Sequence, residues 1–352
     1  MQHSIDGGSL KFDYFSPDEK NRLSVFASAA NTDRDSYYGP GNDPLKAYGK
    51  TTDLTAMGGA QYVHTFDKCF FMPSDLTAGL EYNRDRLKDN MWGYNRHTDQ
   101  TVNIYSAFLQ NEWKNDRWGI LIGGRLDKHN MVDNVIFSPR ANLRFNPTQN
   151  INLRLSYSSG FRAPQAFDED MHIENVGGTV AMIERAKDLK EEKSQSFSVS
   201  ADMYHRFGAF QTNLLIEGFY TRLTDVFVLG KPYDRGDGIL VKTRSNGPGA
   251  KVMGLTLEGK VAYLSILQIQ AGLTLQRSRY DEPHKWHDDA PAEKKIFRTP
   301  DTYGYFTATC TPIKPLSIAL SGTYTGRMLV QRMDITAENA ELGKMPERKA
   351  EA

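Results

Sequence analysis

The sequence predicts an all-β protein, an antiparallel transmembrane β-barrel built as an up-and-down meander. Three observations predict it. Apolar and polar residues alternate with period two along most of the chain, the alternating segments are long, and the connectors alternate between short and long.

The alternation is plainest in five places. Ile151, Leu153, Leu155 and Tyr157 alternate with Asn152, Arg154, Ser156 and Ser158. Phe197, Val199, Ala201 and Met203 alternate with Ser196, Ser198, Ser200 and Asp202. Met253, Leu255, Leu257, Val261 and Tyr263 are interleaved with Gly254, Thr256, Glu258 and Lys260. Leu267, Ile269, Ala271, Leu273 and Leu275 follow the same rule, as do Leu316, Ile318, Leu320 and Tyr324. Side chains on a strand point to opposite faces in turn, so each segment has one apolar and one polar face. About fourteen segments read this way, many roughly 9 to 14 residues long, against about 9 to 11 for a tilted membrane-crossing strand and about 5 to 6 for a globular one.

Short connectors are expected near Ser16–Lys20, Asp67–Ser74, Asn115–Arg117, Asn146–Gln149, Arg206–Ala209, Leu264–Ile266 and Thr311–Pro315. Long ones are expected at Ala30–Asp53, Arg86–Gln100, Lys128–Asn134, Gly160–Lys193, Thr224–Gly247 and Asp281–Pro300, the third hardly longer than a turn. A meander whose two ends face different compartments has this pattern, with short periplasmic turns and longer extracellular loops. In lipid every backbone polar group must be paired, so a spanning sheet closes into a barrel. The apolar face then meets lipid and the polar face a hydrated lumen, with Tyr157, Tyr220, Tyr263 and Tyr324 placed as an interfacial belt. A soluble sheet with one wet face is the competing reading.

Composition narrows the function. Lys plus Arg and Asp plus Glu number 43 each, so the chain lacks the basic excess that nucleic acid selects. No apolar run reaches the length of a membrane helix, and the residues after Met1, with no basic stretch followed by an apolar one, are not expected to act as a secretory leader. Cys69 and Cys310 form no CxxC, and their pairing is left open. Phosphate-binding glycine motifs and a GxSxG elbow are absent.

Three stretches carry a resemblance. Leu109–Lys114 reads LQNEWK, Phe137–Arg144 reads FSPRANLR, and Ser159–Pro164 reads SGFRAP. Together and in this order they resemble the TonB-dependent outer-membrane receptors, most closely those of the siderophore and vitamin B12 type. The likeness extends more diffusely over residues 8 to 330. It implies about 14 strands of a barrel of about 22 over residues 1–330. Two features depart from the family: no plug domain is expected in these residues, and 331–352 reads as a charged tail, not strand-like, expected to be non-native or disordered. The likeness also implies uptake of a small nutrient ligand, such as a metal chelate or cobalamin, across the outer membrane of a Gram-negative bacterium. Outer-membrane lipid would surround the chain, and TonB would act only through an N-terminal part that precedes such barrels. These residues alone are not expected to transport actively. No enzyme activity, cofactor or nucleic-acid partner is expected.

Candidate ligand contacts are Arg34, Tyr37, Tyr38 and Tyr48 in the first long connector, Arg162 in the SGFRAP stretch, and Trp286. Arg and Tyr combine reach, planar hydrogen bonding and amphipathic area, which suits them to recognition surfaces. Asp168, Glu169 and Asp170 have no partner His or nucleophile nearby in sequence, so they read as a solvated loop rather than an acid/base pair. His284 and His287, three apart among carboxylates, form a weak metal motif because no further ligand pair accompanies them. Glu184–Lys193 is expected to form a short exposed helix. A complete passive channel or adhesin barrel is the main alternative. A barrel enzyme is disfavoured, since His172, His205, His284 and His287 lack motif partners.

Overall fold

The computed structural model describes residues 2–37, 48–92, 95–166, 174–176, 179–236, 239–285, 291–334 and 347–351. Every regular element among them is a strand. In chain order they are β1 (Gln2–Phe15), β2 (Asn21–Tyr37), β3 (Tyr48–Cys69), β4 (Met72–Met91), β5 (Arg96–Lys114), β6 (Trp118–His129), β7 (Ile136–Thr148), β8 (Ile151–Arg162), β9 (Glu174–Val176), β10 (Thr179–Arg185) and β11 (Glu192–Phe207). They continue with β12 (Phe210–Thr224), β13 (Phe227–Asp234), β14 (Ile239–Asn246), β15 (Ala250–Tyr263), β16 (Leu267–His284), β17 (Glu293–Lys295), β18 (Thr302–Ile313), β19 (Leu316–Thr325), β20 (Val330–Asp334) and β21 (Glu347–Glu351).

Fourteen of them form one antiparallel meander in the order β1-β2-β3-β4-β5-β6-β7-β8-β11-β12-β15-β16-β18-β19, with β17 added beside β16. The seven short connectors all fall at one end of this sheet, where the sequence places turns. Among the described residues no ladder joins β1 to β19, so the meander has two edges.

The register carries each apolar face across the whole sheet. Phe12, Val25, Ala60, Leu80, Ala107, Leu126 and Phe137 lie opposite one another strand by strand. Leu143, Leu155, Val199, Gly218, Leu255 and Leu275 form a second such row. These large apolar side chains are exposed, Leu80 at 65% and Val199 at 59%, which inverts the arrangement of a soluble protein. On the other face polar groups pair across strands: Ser106 Oγ donates to Asp127 Oδ1 at 2.6 Å, and Arg125 reaches Glu81 at 2.6 Å and Asp127 at 2.8 Å.

Rings bracket the apolar band. Trp118 stacks on Phe145 (4.3 Å between centroids) and Phe210 meets Tyr263 (4.7 Å) at the short-turn end. Tyr82 meets Tyr105 (4.9 Å) and Tyr157 meets Phe197 (4.8 Å) at the other. Phe210 and Tyr220 of β12 are separated by about 33 Å of strand, or about 25 Å of height at a tilt near 40°, which matches the apolar band of an outer-membrane barrel.

Four expectations need correction. The connectors expected at Ala30–Asp53 and Arg86–Gln100 are mostly strand: β2 runs to Tyr37, β3 starts at Tyr48, β4 runs to Met91 and β5 starts at Arg96. Beyond the lipid the outward face no longer has to be apolar, so the alternation stops while the backbone ladder continues. The connectors at Gly160–Lys193 and Thr224–Gly247 contain a separate sheet, ordered β13-β14-β10-β9, in which β10 and β14 run parallel. Glu184–Lys193 is not a helix, because its first residues complete β10 and its last begin β11. The charged tail, expected not to be strand-like, contributes β21, which pairs with β20, because backbone bonding makes no demand for apolar side chains. Cys69 and Cys310 are both free thiols.

Candidate functional site

The end of the sheet opposite the short turns holds a cavity of about 560 Å³. It forms where the β4–β5 connection, the segment after β8, and β10 converge. Polar bonding on the inner face fixes these pieces. Arg34 Nη2 donates to Thr51 Oγ1 (3.2 Å), Thr51 donates to Asp89 Oδ1 (2.7 Å), and Arg96 Nη2 donates to Asp89 Oδ2 (2.7 Å). The chain of bonds crosses β2, β3, β4 and β5, with Asp89 buried at its centre.

A second junction ties the long connector down. Gln100 Oε1 accepts from the Ala166 amide (2.9 Å) and from Arg185 Nη1 (2.7 Å), and Arg185 also donates to the Pro164 carbonyl (2.9 Å). Fully buried His129 lies beside this junction. Its Nδ1 accepts from the Met131 amide at 3.0 Å, so Nε2 carries the proton and donates to Gln165 Oε1 at 3.2 Å. Asn246 holds the two long connectors together, accepting from the Lys190 amide (2.8 Å) and donating to the Asp225 carbonyl (2.8 Å).

The cavity lining is basic. Arg96, Arg185, Lys187 and Arg235 face it, against the single acid Glu184. Such a surface attracts anions by charge-assisted hydrogen bonding. Among the described residues no group of three or more His, Cys, Asp or Glu side chains is arranged to hold a metal ion.

The sequence-predicted contacts are dispersed. Arg34 lies within a strand, on the inner face, rather than in a loop. Tyr37 and Tyr48 pair in register, but on the opposite face, shared with Val25 and Leu54, and Tyr48 stacks on Trp92 at 5.8 Å. Parity along a strand decides this: Arg34 and Tyr37 are an odd number of residues apart, so they point to different sides. Arg162 ends β8 opposite Glu192, with its guanidinium over the Phe227 ring at 5.4 Å. His284 ends β16, well beyond the apolar band, with its ring 5.8 Å from that of Tyr280. Burial there pulls its imidazole below the ordinary histidine value. Tyr38, Trp286, His287 and the acids 168–170 lie outside the described residues. The cavity residues Arg96, Arg185, Lys187 and Arg235, and Gln100 beside them, are not among the ligand contacts that the sequence suggests. None belongs to a motif, and only the meeting of separate strands and connectors makes them neighbours.

A fourteen-stranded antiparallel meander with an apolar outward face, a polar inner face and its long connectors gathered at one end is the sheet of a membrane-spanning β-barrel. The profile described as TonB dependent receptor-like, beta-barrel, matches residues 3–332, and the chain belongs to this family of receptors, which are not enzymes. Among curated proteins no sequence matches. Solved structures share the fold at low identity. The siderophore receptor PirA from Acinetobacter baumannii is 15% identical, with a TM-score of 0.70 over 99% of this chain and 55% of its own. The outer membrane transporter YddB from Escherichia coli is 11% identical, with a TM-score of 0.70 over 99% of this chain and 54% of its own. A mutant of the ferric enterobactin receptor PfeA from Pseudomonas aeruginosa is 16% identical, with a TM-score of 0.69 over 94% of this chain and 50% of its own. The chain thus spans about half the length of these proteins.

Proposed function

We propose that these residues form the barrel of a receptor in the outer membrane of a Gram-negative bacterium. It takes up a scarce nutrient with energy delivered through TonB, and the nutrient arrives as an anionic metal chelate. One observation carries the choice of ligand class: Arg185, Lys187 and Arg235 line the cavity at the long-connector end against the single acid Glu184, the fourth cation there, Arg96, being paired with Asp89. A neutral ligand gains little from that charge. The family's energy coupling passes through parts that precede the barrel, so TonB acts on these residues indirectly.

Fluorescence titration of the detergent-extracted receptor tests the ligand class. A ferric tris-catecholate, which is anionic, should bind more tightly than a neutral ferric tris-hydroxamate. Lys187→Gln with Arg235→Gln should weaken the catecholate by about tenfold or more, and less so at high salt. Equal binding of both chelates, unchanged by the double substitution, would rule out the anionic class.

A further inference from the structure

The outward face carries a second charged cluster, on the side opposite the cavity. Arg222, Lys251 and Arg279 lie directly opposite one another on β12, β15 and β16. One pleat lower, Tyr220, Met253 and Arg277 form the next row, and Gly218, Leu255 and Leu275 the row after that. The cations therefore stand where the apolar band ends, on the side of the long connectors. Like charges directly opposite on neighbouring strands repel. The acid beside this row, Asp281, is already held by both terminal nitrogens of Arg222 at 2.6 Å. Lys251, Arg277 and Arg279 form no ion pair with any described residue.

Two concavities meet at this point. A basic one of about 340 Å³ is lined by Lys251, Arg277, Arg279 and Lys294. An apolar groove of about 720 Å³ runs below it, lined by Leu155, Phe197, Val199, Tyr220, Leu255 and Leu275. Met253 and Arg277 belong to both. Gly218 opens the floor of the groove, where an added Cβ would meet only Val199 Cγ1, at 3.7 Å. The strands involved are interior to the sheet, so only side chains are offered to an occupant.

Resting on the membrane-spanning reading, we propose that this face binds one phosphorylated lipid of the outer leaflet. Its phosphate sits on Lys251, Arg277 and Arg279, and an acyl chain lies in the groove beneath. Guanidinium and ammonium groups bind phosphate by charge-assisted hydrogen bonds, and arginine does so bidentately. Free phosphate would use the cations and leave the groove empty. A lipid uses both, and its charge relieves the repulsion within the row.

The test is native mass spectrometry of the full chain extracted from membranes in nonionic detergent. The probes are phosphatidic acid, its uncharged diacylglycerol counterpart and inorganic phosphate. Membrane fractionation is checked first, since failure there overturns the spanning reading itself. In a chain that fractionates with membranes, one phosphatidic acid should be retained, diacylglycerol should not, and inorganic phosphate should compete only weakly. Lys251→Gln, Arg277→Gln and Arg279→Gln together should reduce retention by about tenfold or more. Gly218→Leu, which fills the groove and leaves every cation in place, should reduce it several-fold, with strand content by circular dichroism unchanged. Equal retention in wild type and variants would overturn the site. Phosphate competing as well as phosphatidic acid, or Gly218→Leu without effect, would reduce it to a plain anion site and overturn the lipid.

Discussion

Asp89 accepts two hydrogen bonds from Arg96, from Nη2 at 2.7 Å and from Nε at 3.1 Å, while its other oxygen accepts from Thr51 at 2.7 Å. Asp89 is 1% exposed and Arg96 10%, so this is a desolvated pair rather than a surface one. Removing one partner of such a pair strands the other charge. Asp89→Ala is expected to cost about 3–5 kcal/mol. Urea unfolding followed by loss of the compact form on gels would report it, and an unchanged midpoint would show that the pair does not hold the rim together.

Gln100 joins three segments through one carbonyl oxygen. Gln100→Ala leaves the Ala166 amide and the Arg185 guanidinium without that acceptor, a loss of about 1–3 kcal/mol confined to the rim. Hydrogen exchange in residues 163–166 and 182–185 should accelerate by about tenfold or more, with the strands of the apolar band unaffected. Equal protection in the variant would refute the junction.

Two glycines on the outward face should respond oppositely to alanine. A Cβ on Gly304 would lie 2.5 Å from the Gly272 carbonyl oxygen, and backbone cannot swing aside as a side chain can. Gly304→Ala is expected to destabilise by about 1–3 kcal/mol. At Gly218 the nearest atom is 3.7 Å away, so Gly218→Ala should stay within about 1 kcal/mol of wild type. Paired unfolding curves decide it, and equal effects would contradict the close approach of β16 and β18.

His284 should titrate below 6.5, because burial disfavours its charged form. The fold therefore favours the neutral ring. That contribution is complete above the unfolded value of about 6.5 and is lost as pH falls through it toward the folded value. Comparing the pH dependence of unfolding in wild type and His284→Gln isolates it. A wild-type stability that rises, relative to the variant, as pH falls through this range would reverse the sign and defeat the prediction.

Much of the fold was legible in the residues. The fourteen meander strands agree with the expected number of about fourteen, the five segments read residue by residue are all strands, and the seven turns fall at the short connectors. Legibility ended where the physics behind alternation ended. Between Asn31 and Asp35, and between Arg86 and Asn90, the outward face turns polar, while Leu87 and Met91 are buried on the inner face and the backbone ladder runs on. In β10, β13 and β14 the partners come from two different connectors, so neither connector by itself shows the pairing.

By itself the sequence determined the class of protein, its membrane-spanning strands and its two unlike ends, because a side chain facing lipid must be apolar whatever its neighbours are. Which polar residues meet was decided only by the tertiary structure. Gln100 and Arg185 are 85 positions apart, and Arg222 and Asp281 are 59 apart. Their meeting depends on register and on how the connectors fold back over the strands. A polar side chain in a hydrated lumen or above the membrane can be satisfied by water, so its identity does not dictate its partner.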